Sequence, residues 1–149
     1  MCNVLIINGP NLNLLGTREP EKYGNITLAD IENMLKSRAA EYKFDIKTFQ
    51  SNSEGDIIDF LQQNRDWAEY LIINAGAYTH TSVAIRDAIL AVKYLTIEVH
   101  LTNIYSREEF RRKSYLSDIS IGVISGFGVY SYLLALDYIK YREKENEKK

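Results

Sequence analysis

The sequence predicts an α/β fold, a five-stranded parallel sheet packed between two layers of helices. Two observations carry that expectation. Short runs dense in Ile, Val and Leu alternate along the chain with segments whose apolar residues recur at helical spacing, as crossover-connected parallel strands require. Four of the runs, 4–7, 71–73, 95–99 and 119–124, are rich in Ile, Val and Leu, the pattern of strands covered on both faces.

Taken in order, the first run is Val4-Leu5-Ile6-Ile7, preceded by Cys2 and closed by Asn8. Thr27-Leu28-Ala29-Asp30 has the form of a capping box, and Leu28, Ile31, Leu35 and Tyr42 after it share one helical face. Run 44–49 differs from the others because Asp45 and Lys47 interrupt it, as in an edge strand with one wetter face. Ser53-Glu54-Gly55-Asp56 opens a second helix with Ile57, Phe60 and Leu61. A third helix is expected over 81–92 with Val83, Ala84, Ala88, Ile89 and Val92. After run 95–99, Ser106-Arg107-Glu108-Glu109 has the Ser-x-x-Glu spacing of a capping box and predicts a short helix. Run 119–124 leads into a last helix with Tyr130, Leu133, Leu134 and Tyr138, whose mixed-charge end, 142–149, is expected to fray into solvent. No linker or repeat interrupts the pattern, so residues 1–149 read as a single domain. With the wettest run at an edge, five strands predict the flavodoxin-like order 2-1-3-4-5, which binds ligands at the carboxyl ends of the strands beside the switch between the first and third.

Composition narrows the function. A chain of 149 residues is long enough to bury a full core, and its net charge of −2 lacks the basic excess of a nucleic-acid binder. No apolar run approaches the ~18 residues of a membrane span, and residues 1–8 lack the basic start of a signal peptide, so the expectation is a cytoplasmic protein with neither membrane nor nucleic-acid partner. One cysteine excludes an internal disulfide, and one Cys with two His are too few ligands for a structural zinc site, so no metal is expected. The dinucleotide fingerprint, the P-loop and the Gly-x-Ser-x-Gly elbow are all absent. Gly126-Phe127-Gly128 reads as tight strand-to-helix packing. Proton transfer by His, Tyr, Glu, Arg and Asn remains.

Those residue types collect at the carboxyl ends of the strands. After the first run comes Asn8-Gly9-Pro10-Asn11-Leu12-Asn13-Leu14-Leu15-Gly16, and after the third Asn74-Ala75-Gly76-Ala77-Tyr78-Thr79-His80-Thr81-Ser82. The fourth ends Glu98-Val99-His100-Leu101-Thr102-Asn103. Both histidines of the chain therefore converge on one edge of the sheet, where an active site belongs. Glu98 and His100, two apart on a strand, project to the same face, so the carboxylate is placed to orient the imidazole.

These motifs, in this order, resemble the type II 3-dehydroquinate dehydratases. The likeness is carried by 8–20 with Tyr23-Gly24, by Gln50-Ser51-Asn52-Ser53-Glu54-Gly55, by 74–82 with Asp87, and by Glu98-Val99-His100 with Arg107-Glu108-Glu109-Phe110-Arg111, and it spans roughly residues 4–138. Thr102 stands where the family commonly has serine and Ala77 where it often has glycine. The resemblance implies a flavodoxin-like subunit assembled as a dodecamer built from trimers. It implies reversible dehydration of 3-dehydroquinate to 3-dehydroshikimate in the shikimate pathway, by anti elimination through an enolate, without metal, cofactor or Schiff base.

It also implies roles. Tyr23 is the base that takes the proton from carbon 2. A free phenol has a pKa of about 10, and lowering it by about 2 units needs about 2.7 kcal/mol, which a cation within ~4–6 Å supplies. Arg18 and Arg107 are the two candidates for that cation. His100 is the acid for the departing hydroxyl, since an ordinary imidazole exchanges protons near neutral pH. Asn11 serves the enolate through a water, and Leu101 and Thr102 offer backbone N–H groups to the substrate carboxylate. Asn74 and His80 hold its hydroxyls and carboxylate. Arg111, one helical turn after Arg107, contributes a planar guanidinium. Asp87 reaches the site of a neighbouring subunit, and the Arg18–Tyr23 loop closes over substrate. Each has a plainer reading: a packing tyrosine, a capping histidine, a solvated arginine face, a surface aspartate. The competing class is a flavodoxin-like binding or receiver domain. That class wants a Ser/Thr-rich phosphate loop or an acidic cluster after the first strand, and the chain has Asn8, Asn11 and Asn74 at those positions.

Overall fold

The computed structural model describes residues 2–17 and 19–149, with Lys22 and Tyr23 described by backbone alone. Strands β1 (Cys2–Asn8), β2 (Phe44–Gln50), β3 (Tyr70–Asn74), β4 (Leu95–His100) and β5 (Gly122–Ser125) form one sheet in the order β2-β1-β3-β4-β5, as expected. Every neighbouring pair is parallel, and the β1–β3 register sets Asn8 opposite Asn74 at the carboxyl edge. The helices are α1 (Pro20–Tyr23), α2 (Leu28–Tyr42), α3 (Glu54–Gln63), α4 (Val83–Val92) and α5 (Tyr130–Glu147).

Successive strand residues point to opposite faces, so a sheet covered on both sides needs apolar residues at every position. That is what β1 and β3 supply. Val4, Ile6, Tyr70 and Ile72 pack with Ile31 and Leu35 of α2 and Leu136 and Ile139 of α5. Leu5, Ile7, Leu71 and Ile73 pack with Ile57 and Leu61 of α3 and Ile85 and Ile89 of α4. Each such fully buried side chain contributes on the order of 2 kcal/mol. α2 and α3 start at the caps the sequence offers, and α4 starts at Val83, two residues after the expected 81. Thr27 and Asp30 form a reciprocal capping box on α2, Ser53 caps α3, and Ser82 caps α4 through Ile85 N–H. No helix among the described residues is long and apolar enough to cross a membrane.

Four local expectations are corrected. Cys2 does not precede the first strand but opens it, and burial pushes its thiol up to about 12, which leaves it unreactive. Run 119–124 is not one covered strand: Ser117–Ile119 is a 3-10 turn, and β5 is an edge strand with Val123 well exposed. Ser106 caps no helix. Its hydroxyl donates back to Asn103 O, Asn103 Oδ1 accepts from Tyr105 N–H, and the segment folds as two 3-10 turns, Ile104–Ser106 and Glu109–Arg112. Finally, α5 continues to Glu147 rather than fraying from 142, with Glu143 accepting a 2.7 Å hydrogen bond from the buried Tyr70 hydroxyl.

Candidate active site

The loops after β1 and β3 meet at the switch point of the sheet. Gly9 N–H donates to Asn74 O at 2.8 Å, and a Cβ on Gly9 would sit 2.2 Å from Ala75 O, so only glycine permits the approach. The end of β2 holds the first loop in place. Asn52 Oδ1 accepts from Asn11 N–H at 3.0 Å, Gln50 Nε2 donates to Gly9 O, and the Tyr78 hydroxyl donates to Asn52 O.

Between these loops and the end of β4 lies a cleft of about 220 Å³. Eight residues expected in the site line it: Asn11, Asn74, His80, His100, Leu101, Thr102, Arg107 and Arg111. Glu98 is fully buried behind His100 and accepts a short hydrogen bond from its Nε2. One described residue expected in the site is not brought in. Asp87 is exposed on α4 and does not line the cleft. Arg18 and the side chain of Tyr23 lie outside the described residues.

The local chemistry is specific. Burial pushes the Glu98 carboxyl up. The His100 hydrogen bond and charge, then the hydroxyls of Ser117 at 2.7 Å and Ser114 at 2.9 Å on Oε1, outweigh it and hold the group below the usual carboxylate range. Because a carboxylate only accepts, His100 Nε2 carries its proton toward Glu98 and Nδ1 is the nitrogen left for other partners. The His80 ring stacks beside His100 with centroids 6.4 Å apart. Burial lowers the His80 pKa against the raising effect of its bond to Lys113 O, so the ring is held neutral. Its Nδ1 donates to that carbonyl at 2.7 Å, which leaves Nε2 as an acceptor.

Asn74 is locked from two sides. Gly76 N–H donates to its Oδ1, and its Nδ2 donates to the buried Tyr132 hydroxyl, which in turn donates to Asn8 Oδ1. Among the described residues, none accepts from the backbone N–H of Leu101 or Thr102, so two donors remain at the end of β4. Arg107 Nη1 approaches Thr102 Oγ1 at 3.5 Å, and Arg111 Nε donates to Glu108. No group of three or more His, Cys, Asp or Glu that could hold a metal occurs among the described residues.

Sequence reasoning missed Ser114, Ser117 and Tyr132. Ser114 and Ser117 sit in a loop where hydroxyls are unremarkable, and Tyr132 is one of 11 tyrosines, on a helix whose other residues read as packing. The arrangement combines a charge-oriented histidine, a neutral hydrogen-bond acceptor, two free backbone donors and two arginines in one cleft. It can hold a hydroxylated anion and move a proton at it.

Comparison with known proteins identifies the family. Residues 2–140 match the family Dehydroquinase class II. The chain is 55% identical over 139 residues to a 3-dehydroquinate dehydratase of Prochlorococcus marinus, covering 93% of this chain and 95% of that one. It is 56% identical over 136 residues to a catabolic 3-dehydroquinase of Debaryomyces hansenii, covering 91% and 94%. A crystal structure of type II dehydroquinase from Butyrivibrio crossotus superposes with a TM-score of 0.89 at 42% identity, over 92% of this chain and 96% of the other.

Proposed function

The chain belongs to the class II dehydroquinases, and from that membership we propose that it dehydrates 3-dehydroquinate reversibly to 3-dehydroshikimate and water in the shikimate pathway, by anti elimination through an enolate. The observation that carries the reading is the buried Glu98–His100 pair at the end of β4, opening on a cleft lined by Asn74, His80, Arg107 and Arg111.

In this reading Tyr23 removes a proton from carbon 2, next to the ketone, and the ketone oxygen takes the charge as an enolate. Arg18 keeps the phenol ionisable, and Asn11 steadies the enolate through a water. The hydroxyl on carbon 1 leaves with a proton from His100 Nδ1, and the negative Glu98 stabilises the imidazolium before the transfer. The support for Tyr23 and Arg18 is the likeness of their loop to the family motif. The support for His100 and Glu98 is their geometry.

The substrate carboxylate fits the unused N–H groups of Leu101 and Thr102. A neutral His80 with Nε2 as acceptor suits a substrate hydroxyl rather than the carboxylate. Asn74, with one amide hydrogen directed to Tyr132, presents what remains of its amide to the cleft. Arg111 and Arg107 supply positive charge that the chain as a whole lacks. Each subunit is one catalytic domain, and the assembly is a dodecamer built from trimers. Asp87, exposed on α4 away from its own cleft, acts in a neighbour's site.

The test is direct: protein mixed with 3-dehydroquinate, with the conjugated enone product followed by ultraviolet absorbance. Turnover is expected to continue in EDTA and after borohydride treatment with substrate. No product at micromolar protein refutes the assignment, and loss of activity to either reagent refutes the mechanism.

A further inference from the structure

Resting on the proposed dehydratase reading, we infer that Ser114 and Ser117 are positioning residues for the acid, clamping the far oxygen of Glu98 so that its other oxygen is held on His100. Neither serine lines the cleft, and nothing about the reaction itself requires them. What marks them is where their hydroxyls go. Both donate to the same atom, Glu98 Oε1, at 2.9 and 2.7 Å, while Oε2 faces His100 Nε2. A carboxylate so divided has its rotation set and its charge compensated from the side opposite the imidazole.

The Ser114 hydroxyl has no freedom to do otherwise. Its oxygen accepts from Leu116 N–H at 3.0 Å and Ser117 N–H at 3.2 Å, which occupies both lone pairs and leaves the single O–H for Glu98. The strap that carries the pair is tied down along its length. Lys113 O accepts from His80 Nδ1, and Tyr115 N–H donates to Thr79 O at 2.9 Å. Arg86 donates to Tyr115 O and pairs through two bonds with Asp118. The strap therefore joins the substrate-contacting turn at His80 to the carboxylate behind His100, so the two histidines share one support.

The pair acts on the protonation of the dyad. Hydroxyl donors favour the ionised carboxylate, and an ionised Glu98 is the acceptor that fixes the orientation of the His100 ring through Nε2. The ionisable side chains that share the cleft with His100 among the described residues are His80, Arg107 and Arg111. None of these reaches Glu98 Oε1 by a hydrogen bond, whereas both serines do.

Ser117→Ala is the clean probe, because the Ser117 hydroxyl serves Glu98 alone. Ser114→Ala also strips the acceptor from two backbone N–H groups and is expected to lower stability as well. For Ser117→Ala the expected result is a fall in kcat of about tenfold with KM changed less than about twofold, the size of one lost hydrogen bond to a charge. On acidification the Ser117→Ala protein begins to lose stability at higher pH than the parent, because a Glu98 carboxylate without that donor takes a proton more readily. Ser117→Thr, which keeps the hydroxyl, restores both. An unchanged kcat, a fall in kcat with no movement of the acid side of the stability–pH profile, or no recovery with threonine each overturns the inference. If the unsubstituted protein does not turn over 3-dehydroquinate, the functional reading itself has failed, and the two outcomes are distinct.

Discussion

At the scale of single residues, chemistry turns on partners more than on residue type. Both histidines lie in the cleft, but their hydrogen bonds divide them: His100 gives its Nε2 proton to a buried carboxylate, and His80 gives its Nδ1 proton to a backbone carbonyl. That division was half legible. The Glu98-Val99-His100 spacing announces the first pair, because strand residues two apart share a face. The Lys113 carbonyl comes 33 residues after His80 and the two serines 16 and 19 residues after Glu98, and they leave no periodic trace. Glu98 also links the site to stability. Its folded-state pKa lies below the usual value, so its contribution is fully present above the unfolded-state pKa, about 4.5, and is lost as pH falls through the lower folded value. Glu98→Gln removes that contribution. Thermal melts are expected to show the variant less stable than the parent at pH 7, with the gap narrowing below about pH 4.5. A gap independent of pH contradicts the ionised, paired Glu98.

At the scale of elements, the sheet was readable because burial on both faces forces apolar residues together in short runs, and α2 and α3 because Thr27 and Ser53 open them, while α4 was readable from its apolar spacing alone. The segment between β4 and β5 was not. Ser106 has the spacing of a cap, but Asn103 just before it captures both the turn and the serine hydroxyl, and the chain folds into 3-10 turns. β5 was overextended for a related reason: the apolar residues of 119–124 pack partly as a turn and partly as an edge strand. Caps far from the cleft stabilise without touching chemistry. Thr27→Ala is expected to cost about 1 kcal/mol in a denaturant melt while kcat stays at the parental value. A proportional loss of kcat contradicts the separation of scaffold from site.

At the scale of the whole molecule, the proposed reaction asks a near-neutral chain to meet an anionic substrate with local charge. Arg107 and Arg111 stand in the cleft beside two backbone donors, while the surface as a whole carries a net charge of −2. On α4, Val83, Asp87 and Leu90, one turn apart, form an exposed face. The proposed assembly against a second copy would cover it and bring Asp87 to a neighbour's cleft. Sizing chromatography is expected to give a dodecamer of roughly 200 kDa from 17.2 kDa subunits. Elution as an active monomer contradicts the role of Asp87.

The central claim, that the Glu98–His100 pair drives loss of water from 3-dehydroquinate, is tested most directly by one comparison: enone formation by the parent protein and by His100→Ala, at equal concentration and pH 7. The account predicts steady product from the parent and a rate at least about 100-fold lower from the variant, the usual worth of a positioned acid. Equal rates, or no enone from the parent, would contradict it.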